Sequence, residues 1–395
     1  MAQYILKPQI MPNPNVRLRR ARLASSLPAM QALAAGGADR ALEVSAVRSF
    51  PLREPVSKRA YTVVRVETRG GLAGYGECHA VPAAEFARAS ERVRGTPASA
   101  YEVVRRALAG MPGMQAAVNM ALLDIMGKQS KAPVFQILGG PTRNKVRAMT
   151  KLAGEDNGAL TASMKRATDA GFRAFVVPLP KVTAPNQGRA FVLAVRGRLE
   201  ALRAAGGEDV DFVMDGAAEL SPGDASSIST DLQPLHPLWI DEPCAPLNLG
   251  AVRKITRERV TPVGFGRTVD NGADFQDLLR EEALDVLRPD IARNGISQIR
   301  RMAALAETYY VAVAPYHDGG PVGTAAALHL AASIPNFFIQ QVPLPEAEED
   351  RRMRTEIAGP DAEPVKDGFA QLSAAPGLGI TVNEQALEKY AEREA

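Results

Sequence analysis

Cysteine is almost absent from this chain, whose 395 residues include only Cys78 and Cys244, far apart. That is too few for a disulfide framework or a cysteine zinc site, and a reducing compartment suits it. A surplus of one charge is also missing, since 47 Lys plus Arg stand against 44 Asp plus Glu, a net charge of +3. So small an excess gives no argument for a nucleic-acid or anionic-membrane partner. No apolar run approaches the roughly 18 to 20 residues of a membrane helix, so a soluble protein is expected.

What is present is ordinary globular composition, 46% hydrophobic and 23% charged. It supports a large core and excludes disorder, collagen and coiled coil. At this length two domains are expected. Residues 1–40 read as an N-terminal lead-in. The basic run RLRRAR at 17–22, followed by LASSLPAMQALAAGGA, leaves a second reading as the remnant of an export signal. The expected location is therefore the cytoplasm, with export as the alternative.

Residues 41–140 read as a small α+β domain. EVSAVRSFPL and YTVVRVETRGGLAGYGECHA alternate apolar and polar residues with glycine turns, as antiparallel strands do. ASAYEVVRRALAG and MQAAVNMALLDIMGKQS then repeat apolar residues every three or four positions, and LGG closes the helical run. Over 141–345 eight short apolar runs alternate with helical stretches, at 145–152, 172–179, 211–215, 238–241, 262–266, 286–289, 310–315 and 337–342. Eight βα repeats in about 200 residues predict a closed barrel rather than an open sheet. Barrel chemistry sits at the C-terminal strand ends. Those ends carry Lys151, Pro178 to Lys181, Asp215, Asp241 and Glu242, Arg267, Asp290, Tyr316 and His317, and Gln340 and Gln341.

The capping run ALLDIMGKQSKAPVFQILGG, with VMDG, WIDEP, PVGFGR, RPDIARNG and VAPYHDGGPVGTAAALHLAA in order, resembles the enolase superfamily, and within it the mandelate racemase and muconate lactonizing group. The resemblance runs from about residue 41 to the closing GLGITVNEQALEKY. It implies an α/β fold: a (β/α) barrel of enolase type at 141–345, an N-terminal α+β capping domain, and a C-terminal segment at 346–395 that packs back on the cap. It also implies a Mg²⁺ held by three carboxylates, which stabilises the enediolate formed when a base removes the proton alpha to a substrate carboxylate. The first two metal positions fall on Asp215 and Asp241. The third falls on Arg267, a cation that repels Mg²⁺, so weak or absent metal is expected and an ion cluster of Arg267 with Asp215 and Asp241 takes its place. Weak binding through Asp215, Asp241 and Glu242 is the remaining alternative.

The family's second-strand lysine pair falls on Val176 and Pro178, neither of which carries a proton. Lys181 lies three residues on, either near the ligand or as a solvated loop lysine. The strand-six and strand-seven dyad falls on Asp290 and Tyr316, with His317 one residue later and able to reach Asp290 by a slip of one position. Tyr316 can serve as an acid or base if a cation such as Arg267 lowers its pKa, or else fills the pocket where the family has histidine. Gln341 stands near the family's eighth-strand electrophile. The capping loop GYGECHAVPAAEF brings His79, with Glu77 in a structural turn, and His329 reads as structural.

The expected catalytic residues are thus His317, Tyr316, Asp290 and Arg267, and the expected substrate contacts Lys151, Lys181, Gln341 and His79. The resemblance implies a lyase or isomerase (a dehydratase or a racemase/epimerase) acting alpha to the carboxylate of a small hydroxy acid or acid sugar. The rival is a non-catalytic binding or scaffold protein that has lost the metal and base residues. A small carboxylate is the expected partner, in a homo-oligomer, with neither nucleic acid nor membrane.

Overall fold

The computed structural model describes residues 40–184, 186–360 and 362–392. The basic stretch at 17–22, on which the export alternative rests, lies outside the described residues. Three antiparallel strands open the chain, β1 (Val44–Arg53), β2 (Ala60–Thr68) and β3 (Ala73–Cys78), in spatial order β1-β2-β3. Helix α1 (Ala83–Val93), helix α2 (Tyr101–Ala107) and helix α3 (Pro112–Gln129) follow. Helix α3 is apolar on nearly every face and is buried accordingly. It lies so close to β3 that a Cβ on Gly74 or Gly76 would run into the carbonyls of Ala121 and Ala117. Glycine there is what lets sheet and helix meet.

Eight parallel runs then form the second layer: β4 (Lys145–Lys151), β5 (Ala174–Pro178), β6 (Asp211–Asp215), β7 (Trp239–Asp241), β8 (Val263–Phe265), β9 (Val286–Leu287), β10 (Ala312–Val313) and β11 (Gln340–Gln341). Each of β4 to β9 pairs with the next. Phe338 N donates to Val313 O at 2.8 Å, and Gln341 N to Pro315 O at 3.3 Å, which carries the backbone bonding from the seventh run to the eighth. β11 in turn pairs with β4. Helices lie between the strands, among them Ile291–Glu307, which packs on α3 of the cap.

Met149, Val176, Val213, Trp239, Val286, Ala314 and Ile339 form one apolar cluster within the ring. Side chains alternate along a strand, so residues two positions further on continue the same face toward the C-terminal mouth. Those residues are Lys151, Pro178, Asp215, Asp241, Arg288, Tyr316 and Gln341.

Not all of the C-terminal segment turns to the cap. The hairpin of β12 (Val365–Lys366) and β13 (Phe369–Gln371) pairs antiparallel with β4. The closing helix Glu384–Tyr390 meets the capping sheet, where Arg65 Nε donates to Glu384 Oε1 at 2.8 Å. Among the described residues no helix is long and apolar enough to cross a membrane.

Candidate functional site

The strand ends bring four charged side chains into one cluster. Asp215 and Asp241 are register partners at the ends of β6 and β7. Arg267 stands just past β8, where Gly266 at φ 134° breaks the strand alternation. Its Nη2 reaches Asp215 Oδ1 at 2.7 Å, its Nη1 Asp215 Oδ2 at 3.3 Å, and its Nε lies 3.6 Å from Asp241 Oδ2. Lys151 Nζ donates to the same Asp215 at 3.0 Å and keeps a side chain 43% exposed. Burial pushes the Asp215 carboxyl up, but Arg267 and Lys151 outweigh it and hold the group well below the carboxylate range.

Asp241 is tied from below. Arg288 Nε donates to Asp241 Oδ1 at 2.9 Å, and the Trp239 indole Nε1 donates to the same oxygen at 2.9 Å. Arg288 and Asp241 are both fully buried. Arg288 also donates to Ala314 O at 2.6 Å and Gln341 Oε1 at 2.8 Å, so each of its three nitrogens has a partner. Glu242, in the left-handed region at φ 43°, accepts from Gly266 N at 2.6 Å and Arg267 N at 2.7 Å. Burial, reinforced by Asp241, pushes its carboxyl up to about 7.

This donor set does not fit Mg²⁺. A hard dication takes oxygen ligands in an octahedron. Here the third position presents a guanidinium, the first carboxylate is engaged by two cations, and the second is held by Arg288. Among the described residues no group of three or more His, Cys, Asp or Glu is arranged to hold a metal ion. Arg267, Asp215 and Asp241 lie together as a cluster of ions, which Arg288, not among the expected residues, joins through Asp241.

The partner of Asp290 is neither Tyr316 nor His317. It is His79, carried by the capping domain, with Nε2 2.6 Å from Asp290 Oδ2. The other oxygen, Oδ1, accepts Ala292 N at 2.8 Å and caps the helix Ile291–Glu307. The hydrogen bond from His79 to Asp290 raises the imidazole pKa against the opposing effect of burial.

His317 corrects the sequence expectation. Tyr316 N donates to Pro289 O at 2.9 Å and Ile291 N to Tyr316 O at 3.1 Å, which fixes Tyr316 opposite Asp290 and excludes the one-residue slip. The next side chain then points the other way. His317 is fully buried, its Nε2 2.9 Å from Gly320 O and 3.9 Å from Glu77, and burial lowers its pKa to about 4. It is a packed neutral imidazole beneath the loop. Tyr316 is corrected as well. Its ring lies 5.2 Å from the Arg267 guanidinium and 5.7 Å from that of Arg288, yet burial and Asp318 together raise the phenol above its ordinary value. The condition that a cation lower its pKa is not met, and the ring faces two cations.

Of the remaining expected contacts, Gln341 is buried and its Oε1 accepts from Arg288. Lys181 is exposed in the loop after β5 and makes no ion pair with a described residue. Glu77, in its expected turn, accepts Gly320 N at 2.5 Å and Gly323 N at 3.1 Å, binding the loop after β10 to the cap. His329 lies buried within the helix Pro321–Ala331 and stacks on Phe135 at 5.4 Å.

Comparison with known proteins accords with this architecture. Residues 47–139 match the family described as the mandelate racemase/muconate lactonizing enzyme N-terminal domain, and residues 159–386 match the enolase C-terminal domain-like family. A D-galactonate dehydratase of Pectobacterium atrosepticum is 26% identical over 340 residues, 82% of this chain and 89% of that protein. A D-galactonate dehydratase family member from Paenibacillus sp. is 30% identical over 291 residues, 68% of this chain and 70% of its own length. A D-mannonate dehydratase from Caulobacter sp. is 28% identical over 307 residues, covering 71% of this chain and 75% of that protein. The crystal structure of a mandelate racemase/muconate lactonizing enzyme-like protein from Rubrobacter xylanophilus superposes with a TM-score of 0.79 at 25% identity, over 89% of this chain and 98% of that one.

Proposed function

Since this chain belongs to the mandelate racemase and muconate lactonizing enzyme group of the enolase superfamily, we propose that it is a lyase acting alpha to the carboxylate of a small hydroxy acid of the acid-sugar class. Fixed cations of the chain take the role that a metal ion plays elsewhere in the group. The observation that carries this reading is the convergence of Arg267 and Lys151 on Asp215 at the mouth. Pair by pair, Arg288 matches Asp241 and Arg267 matches Asp215, which leaves the half-exposed ammonium of Lys151 to meet a ligand anion. When a proton leaves the alpha carbon, the carboxylate becomes an enediolate with one further negative charge. Pre-set cations in a site of restricted water stabilise that charge more than they stabilise the ground state.

A non-catalytic binding role is the second reading. It is favoured by the engagement of both Arg267 amino groups on Asp215, which lowers the charge they offer a ligand. A panel of acid sugars that includes D-galactonate and D-mannonate, assayed in EDTA for loss of water to the 2-keto-3-deoxy acid, separates the two. Turnover of a panel member in EDTA is the expected result. Binding without turnover supports the second reading. Neither binding nor turnover, with or without added Mg²⁺, overturns both.

A further inference from the structure

We propose that His79, held by Asp290, is the group that moves the proton in this site, so that the capping domain supplies the acid–base residue. The inference rests on the acid-sugar reading above and deepens it. An ionised carboxylate only accepts hydrogen bonds, so the 2.6 Å contact requires the hydrogen to sit on Nε2. Nδ1 is then the nitrogen left to take a proton, and it makes no hydrogen bond to a described residue in a side chain 41% exposed. Asp290 is itself fixed through Oδ1, which accepts Ala292 N at 2.8 Å in the single turn that precedes the break at Gly295, φ 66°. A carboxylate anchored by one oxygen and orienting an imidazole with the other is the arrangement that general acid–base catalysis requires.

The dyad stands beside the cation cluster. Asp290 and Tyr316 are paired across adjacent strand ends, and the Tyr316 ring lies 5.2 Å from the guanidinium of Arg267. Of the other imidazoles, His317 and His329 are buried and His236 sits before β7, at the opposite end of the strands from the mouth. The charged groups that act most on His79 are Asp290 and Arg293 from the barrel and Glu77, two residues earlier in β3.

The step balances without a co-reactant. Neutral His79 takes the alpha proton, and the C–H electron pair enters the enediolate beside Arg267 and Lys151. The imidazolium then returns that proton to the β-hydroxyl oxygen as the Cβ–O bond breaks. Water leaves, and the resulting enol becomes the 2-keto-3-deoxy acid.

The test uses the full chain with D-galactonate and D-mannonate, following alpha-proton exchange in D₂O by NMR, affinity by calorimetry and imidazole titration by NMR. His79→Asn is expected to lose exchange and water elimination by about 100-fold or more while affinity changes little. Asp290→Asn keeps the helix cap but removes the carboxylate. It is expected to lower the titration midpoint of His79 and move the acidic limb of kcat/KM to lower pH. If His79→Asn turns over at the wild-type rate, the dyad inference falls and the acid-sugar reading stands. If the wild type binds these acids without exchanging the alpha proton, the inference falls and only the binding role survives. If the wild type binds neither acid, both fall.

Discussion

Arg288 and Asp241 form an ion pair with no solvent contact, the guanidinium Nε 2.9 Å from the carboxylate Oδ1, just below the mouth of the strand ring. Taking two charges out of water costs several kcal/mol for each ion, and only a filled hydrogen-bonding set offsets it. Arg288→Met leaves Asp241 with the Trp239 indole as its direct donor, and a loss of about 3 to 5 kcal/mol in unfolding free energy is expected. Adding Asp241→Leu should recover part of that loss. Urea denaturation of the two variants checks it, and a single mutant as stable as wild type would show that the pair is not held as described.

Glu242 makes stability depend on pH. Its carboxyl is raised from 4.5 to about 7 by burial, with Asp241 adding to the effect. The folded protein therefore keeps a proton that the unfolded chain has released. Its contribution is fully present below about pH 4.5 and is lost as pH rises through about 7, at up to about 1.4 kcal/mol per pH unit between them. Glu77 is also raised to about 7 by burial and acts with the same sign. Glu242→Gln retains an acceptor for Gly266 N and Arg267 N. It is expected to reduce the slope of melting temperature against pH between 5 and 8 without abolishing it. An unchanged slope would contradict the assignment.

The loop after β10 is fixed to the cap by close approach. A Cβ on Gly320 would run into the Tyr61 ring and lie 2.7 Å from Glu77 Oε2, while the backbone at φ −94° is open to any residue. Gly320→Ala is thus a steric test, expected to cost about 1 to 3 kcal/mol. Thermal unfolding reads the loss, and hydrogen exchange at Gly320 N and Gly323 N should rise with it.

Much of this arrangement was legible in the residues. Eight apolar runs marked the strands, and Arg267 in PVGFGR stood visibly where the family implies a carboxylate. Arg288 was not picked out, although its signal was present. It lies two residues beyond Val286 in an apolar strand, so the alternation that buries one side chain in the ring sends the other along the same face. The contact of His79 with Asp290 was not legible, because 211 positions separate them and only the docking of the cap on the barrel brings them together. His317 drew attention as a histidine in a polar loop, yet the backbone bonds of Tyr316 set its parity and turn it inward.

Reversing the charge at Arg267 separates its two roles. Arg267→Glu removes the guanidinium from Asp215 and adds a carboxylate, but Lys151 still reaches Asp215 and Arg288 still holds Asp241. Acid-sugar affinity is expected to fall by about 10- to 100-fold, the worth of one or more charged hydrogen bonds. Tight Mg²⁺ binding is not expected to appear, because two cations remain on the first two carboxylates. Calorimetry with each ligand in turn reads both outcomes.

We propose that cations of the chain take the place where the family implies a metal ion. The most direct test is a calorimetric titration of Mg²⁺ into the chelator-stripped wild-type protein at neutral pH, with metal analysis of the protein as purified. No saturable heat up to millimolar Mg²⁺ and no stoichiometric metal are expected. One tightly bound Mg²⁺ per chain would contradict the proposal.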